Sequence, residues 1–72
     1  MTELGKNLLK GKIASFGENQ AILANIAGLS LSRLNAKLNN YGGAEFTQTE
    51  IHAIKTHYSL TPDEVDAIFF GQ

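Results

Sequence analysis

The chain has 72 residues, 43% of them hydrophobic, and a formal net charge of −1. That length allows one domain, 1–72, with a single core and little surface to spare for a second function, and the charge lacks the basic excess with which an independent DNA binder neutralises phosphates. Cysteine is absent, which excludes disulfides and thiolate metal sites and suits a cytoplasmic protein.

No apolar run reaches the ~18 residues of a membrane span, and Lys6, Lys10 and Lys12 interrupt the N-terminus where a signal peptide needs an apolar stretch. No membrane is therefore expected as a partner. The charges are uneven: these lysines lie early, while Asp63, Glu64 and Asp66 make the last segment acidic.

From Leu4 to Phe16, apolar side chains at Leu4, Leu8, Leu9, Ile13 and Phe16 recur at helical spacing and predict a first helix with one buried face. Gly5 and Gly11 weaken it by ~1 kcal/mol each relative to alanine, so it depends on the rest of the domain. Gly17 is a stop in the left-handed region. The three lysines project from the other side as a solvated face.

Asn19 caps a second helix whose inward face is Leu23, Ala24 and Ala27, the small residues allowing close approach of the next helix. Gly28 supplies the positive φ of a tight corner. Ser30 caps a third helix, Leu29 staples onto Leu34, and Leu34 and Leu38 point inward. Ser32, Arg33, Asn35, Ala36, Lys37 and Asn39 are left wholly or partly outward.

The segment 40–45 is the one long connection, rich in turn-forming residues. Thr47 with Glu50 forms a capping box and Phe46 with Ile51 a hydrophobic staple, opening a fourth helix that runs through Tyr58 with Ile51, Ile54 and Tyr58 inward. Leu60-Thr61-Pro62-Asp63-Glu64-Val65 repeats the device with proline in the first turn and acids where the helix dipole favours them. The fifth helix then spans about Pro62 to Phe70, its Val65, Ile68 and Phe69 closing the core, and Gly71 ends it. No segment alternates with period two, so the fold class is all-α with five helices.

Catalytic chemistry has no foothold. His52 and His57 are five apart and diverge by about 140° on a helix, not the spacing of a metal pair. The late acids are explained by capping, and no nucleophile, phosphate loop or metal cluster accompanies them. The expectation is a protein that is not an enzyme, with no cofactor, no metal and no small-molecule substrate.

In order, Gln20-x-x-Leu23-Ala24-x-x-x-Gly28-Leu29-Ser30-x-x-x-Leu34 resembles the helix-turn-helix of the phage repressor and Cro family. The likeness covers nearly the whole chain and implies a compact five-helix, lambda-repressor-like domain with its helix-turn-helix at about residues 19–39. By that resemblance Gln20 would contact backbone phosphate, and Ser30, Ser32, Arg33 and Asn35 would face the major groove with Lys37 on its flank. Arg33 and Asn35 are chemically able to read guanine and adenine edges.

Helix 2 departs from the family. Ile22 lies roughly 140° from the centre of the Leu23/Ala24/Ala27 face and Ile26 at that face's edge, where the family usually carries charge. Either both pack beneath neighbouring helices, a reading that fits Ile26 better than Ile22, or they leave an apolar strip that marks a protein partner. Leu31 is similarly divided. Its spacing to Leu34 and Leu38 points to the core, toward which the balance leans, and its place at the start of the helix points to the surface.

Taken whole, the opening MTELGKNLLKGKIASFGENQ, the segment LSRLNAKLNN and the ending TPDEVDAIFFGQ resemble the small modulator-of-repression antirepressors of lactococcal temperate phages. That likeness implies a bacterial cytoplasm, a lysis-lysogeny switch and, as partner, the N-terminal DNA-binding domain of the phage CI repressor. The expected contact surface is Ile22, Asn25, Ile26 and Leu31, with Arg33 and Lys37 as rim charges. The alternative expectation is a Cro-like repressor that itself binds operator DNA, or a corepressor acting on DNA together with CI.

Overall fold

A computed structural model describes residues 1–71. Its helices are α1 (Glu3–Ser15), α2 (Gln20–Ala27), α3 (Leu31–Leu38), α4 (Gln48–Tyr58) and α5 (Pro62–Val65), the last continuing as a π-helical turn, Asp66–Phe70. A 3-10 turn, Tyr41–Gly43, lies in the α3–α4 loop, and no strand occurs among the described residues. The five helices follow the expected order.

Each helix begins where a side-chain oxygen replaces a missing backbone partner. Asn19 accepts from the Ile22 amide at 3.0 Å, Ser30 from Arg33 at 3.2 Å, and Thr2 from Gly5 at 2.9 Å. Thr47 and Thr61 form reciprocal capping boxes with Glu50 and Glu64. The helix ends are equally specific. At Gly17 and Gly28, both with positive φ, the chain closes in Schellman fashion: Glu18 donates to the Ile13 carbonyl and Leu29 to the Ala24 carbonyl, at 3.1 and 2.8 Å.

The core is Leu9 and Ile13 from α1, Leu23 and Ala24 from α2, Leu34 and Leu38 from α3, Ile54 and Tyr58 from α4, then Leu60 and Ile68. Ile51 is buried as well, while Ile26, Ala27, Leu29, Phe46, Val65 and Phe69 pack partly buried against the cluster. Phe46 and Phe69 meet edge to face at 5.5 Å beside the start of α4.

Helix α1 is thinner on its buried side than its apolar pattern predicts. Leu9 and Ile13 are inside, but Leu4 is 66% exposed, Leu8 42% and Phe16 47%. Gly5 takes the place expected of an apolar side chain. A Cβ there would overlap the Ile68 carbonyl oxygen, so the glycine lets α1 lie directly on the backbone of the π-helical turn. That close crossing leaves Leu4 and Leu8 beyond the core's edge, and Phe16 covers it only with its ring, edge-on to Tyr58 at 5.0 Å.

Candidate protein-interaction surface

The α2–α3 corner is set by Gly28, at φ 73° and ψ 30°, a region that an L side chain enters only at a cost. Leu23 and Leu34, both fully buried, fix the two helices on the core. Their outer faces are thereby held in one orientation, on helices rather than on a mobile loop.

Those faces carry almost no charge. Gln20 is half-buried, and Asn25, Ser30, Ser32, Arg33 and Asn35 are exposed. Ile22 is 39% exposed and Leu31 47%. Leu31 thus stands outside, against the balance of its spacing. It falls nearly in line with Leu38, but about 10 Å away along the helix axis, and the buried residues of α3 (Leu34, Lys37, Leu38) begin only at its fourth position. The core does not reach the first turn.

One divided expectation is decided and one surface expectation is corrected. Ile26 is half-buried and packs against the core cluster, so the strip expected at Ile22 and Ile26 is broken after its first member. Lys37 is not a rim charge or a groove flank: it is 8% exposed. Its side chain turns inward because it lies only about 60° from Leu34 around the helix, which lets its aliphatic stem cross apolar surface to an acceptor. Lys37 Nζ donates to both carboxylate oxygens of Glu50, at 2.7 and 2.8 Å. Glu50 is already aimed by its capping bond from the Thr47 amide at 3.0 Å. Burial pushes the Glu50 carboxyl up, and the bonds from Lys37 and Thr47 together outweigh it, leaving the group below its ordinary pKa. Arg33 remains as the one exposed cation of α2 and α3.

A second polar cluster fixes the entry to α2. His57 Nε2 sits 3.1 and 3.0 Å from the two oxygens of Glu18. Hydrogen bonding to His57, the largest effect, holds the Glu18 carboxyl below its usual range. The His57 ring stacks edge-on to Tyr58 at 4.7 Å. The Tyr58 hydroxyl is buried without a well-formed hydrogen bond among the described residues, and burial, with Glu18 adding to it, raises its pKa. His52 is exposed elsewhere on α4. Among the described residues, no group of three or more His, Cys, Asp or Glu gathers as a metal site.

The α1 lysines are largely engaged within the molecule. Lys6 bonds Asn39 at 3.1 Å and Glu3 at 3.2 Å, and Lys12 pairs with Glu64 at 2.8 Å. Lys10 is exposed. Neither ion-paired residue on α3 or α4 was visible from spacing: Lys37 and Glu50 sit on different helices, and Glu50 already had a local role as a cap. No described helix is long and apolar enough to cross a membrane.

Comparison with family models, with curated proteins and with solved structures finds no match to this chain.

Proposed function

We propose that this chain is a phage antirepressor of the modulator-of-repression kind, one that docks on the N-terminal DNA-binding domain of the CI repressor and masks its operator-contacting surface, favouring the lytic state. The observation that carries this reading is the character of the outer α2–α3 face. It presents Ile22 and Leu31 with a single cation, Arg33, because Lys37 is withdrawn to Glu50. A face meant for phosphate would gain from exposed lysine and lose from exposed aliphatics. A face meant for another protein needs an apolar centre and a sparse polar rim, which Asn25, Ser32 and Asn35 can supply. The mechanism is competition: a repressor whose reading helix is covered loses operator affinity without any chemical step.

The test is to mix the purified chain with the repressor's N-terminal domain, with and without operator DNA, and to weigh the complexes. A binary protein complex that excludes DNA is expected. A ternary species would overturn masking and support a corepressor. Ile22→Asp and Leu31→Asp should each weaken the protein complex ~10- to 100-fold while leaving the helical spectrum unchanged. Wild-type binding by both variants would place the contact elsewhere.

One observation favours a second reading, a Cro-like DNA binder. Ser32, Arg33 and Asn35 stand exposed on α3, with Ser30 at its cap and Gln20 at the start of α2, the arrangement a groove-reading helix requires. A mobility-shift titration of the chain alone separates the two, since tight, salt-steep, sequence-specific binding belongs only to the second.

A further inference from the structure

We propose that the outer face of α1 is a self-association seam on which two copies of this chain pair antiparallel about a twofold axis. The seam is Leu4, Leu8, Gly11 and Ser15. Their spacings of four, three and four are those of a coiled-coil contact line, and all four residues are exposed. The opposite side of the same helix is already committed to the core through Leu9 and Ile13.

Gly11 supplies the first argument. A glycine in mid-helix weakens the helix, and the fold gives no reason for this one, because a Cβ added there meets nothing within 4 Å. Gly5, six residues earlier, shows the contrast, since its missing side chain is demanded by Ile68. The open space over Gly11 leaves room for a side chain from outside the molecule.

The order of sizes along the seam names the occupant. Large residues fill its first half and small ones its second. In an antiparallel pair centred between residues 9 and 10, Leu8 of each copy faces Gly11 of the other and Leu4 faces Ser15. Each leucine then fills the space left by a small residue, and the seam is complementary to itself, as a twofold contact must be. Ser15 can be covered without leaving its hydroxyl unpaired, because Oγ already donates to the Lys12 carbonyl at 2.7 Å.

Charge agrees with the same occupant. Along one flank, Lys12 pairs with Glu64 at 2.8 Å, and Asp63 lines the same shallow groove beside Leu8, Ala67 and Ile68. The twofold axis brings this flank against its own copy, and with Lys12 already paired to Glu64 each copy offers the other a locally near-neutral flank. The seam is about 17 Å long at the rise of an α-helix. That is short for a permanent interface, so the dimer is weak, with a Kd on the order of 0.1–1 mM.

Sedimentation equilibrium of the full chain from 10 μM to 2 mM tests this. Wild type should move from monomer toward dimer across that range. Gly11→Gln should raise the melting temperature of the dilute chain, as the better helix former, yet weaken association at least tenfold. Because the chain has no cysteine, mixing Leu8→Cys chains with Gly11→Cys chains under oxidation should give mainly the mixed disulfide. Wild type that stays monomeric at 2 mM would assign the seam to a different protein and overturn the proposal. So would Gly11→Gln dimerising as tightly as wild type, or Leu8→Cys homodisulfides predominating.

Discussion

Lys37 and Glu50 join α3 to α4 through an ion pair in which one ammonium reaches both carboxylate oxygens, at 2.7 and 2.8 Å, with the two side chains only 9% and 13% exposed. The pair does two things at once. It ties the outward-facing helix of the corner to the helix behind it, and it removes a cation from the face that a DNA binder would need.

Lys37→Met should therefore act on stability. It leaves the Glu50 carboxylate nearly buried without its main partner, a loss of about 3 kcal/mol, while Lys37→Met with Glu50→Gln should recover a large part of it. Urea unfolding of the two single variants and the double variant gives the coupling. If the proposed docking on a repressor is right, association rates should fall with Arg33→Ala and stay unchanged in folded Lys37 variants.

Acid should unfold the protein through three glutamates. Glu18, Glu50 and Glu64 all sit below their ordinary carboxylate pKa in the folded state, held there chiefly by His57 for Glu18, by Lys37 and Thr47 against the opposing effect of burial for Glu50, and by Lys12 for Glu64. A depressed folded pKa means that the unfolded chain binds more protons as pH drops, so this stability is complete above the unfolded value and is lost as pH falls through the folded ones. Thermal melts between pH 7 and pH 3 should show a falling midpoint. Glu50→Gln should flatten that slope.

The two glycines of α1 should respond oppositely to the same substitution. Gly5→Ala drives a methyl group into the Ile68 carbonyl and should destabilise by about 1–3 kcal/mol. Gly11→Ala meets open space and should stabilise by about 0.5–1 kcal/mol through helix propensity and reduced freedom of the unfolded chain. Denaturant midpoints measured on dilute protein distinguish them.

Ser59 ends α4 in the left-handed region at φ 53°, with Leu60 donating to the Lys55 carbonyl at 3.0 Å. This is a position where glycine carries no Cβ penalty. Ser59→Gly should raise stability by about 0.5–1 kcal/mol, seen as a higher melting temperature.

Ile22 and Ile26 lie one turn apart and should separate binding from folding. Ile26→Asp places a charge against the core cluster and should destabilise by about 2 kcal/mol or more, whereas Ile22→Asp should leave the melting temperature nearly unchanged. Near-equal melting temperatures for the two variants would mean that Ile26 is as exposed as Ile22.

Local grammar was legible in the chain itself. Asn19, Ser30, Thr47 and Thr61 announce helix starts because a cap needs only a short polar side chain and an amide three residues on. Gly17, Gly28 and Gly71 announce ends because only glycine enters the left-handed region without cost. These interactions close within a few residues, so sequence alone determined five helices, most of their starts and the glycine corner between α2 and α3. What it could not decide was which side of each helix the rest of the molecule covers. Leu31 shares an angular position with Leu38 yet lies beyond the core's reach, Leu4 and Leu8 are stranded when Gly5 draws α1 onto Ile68, and Lys37 leaves the surface for a glutamate on another helix. Periodicity sets an angle around a helix axis. How far the neighbouring helices extend along that axis, and which side chain waits there, is set only when the helices pack, and that packing decided which residues the corner leaves exposed.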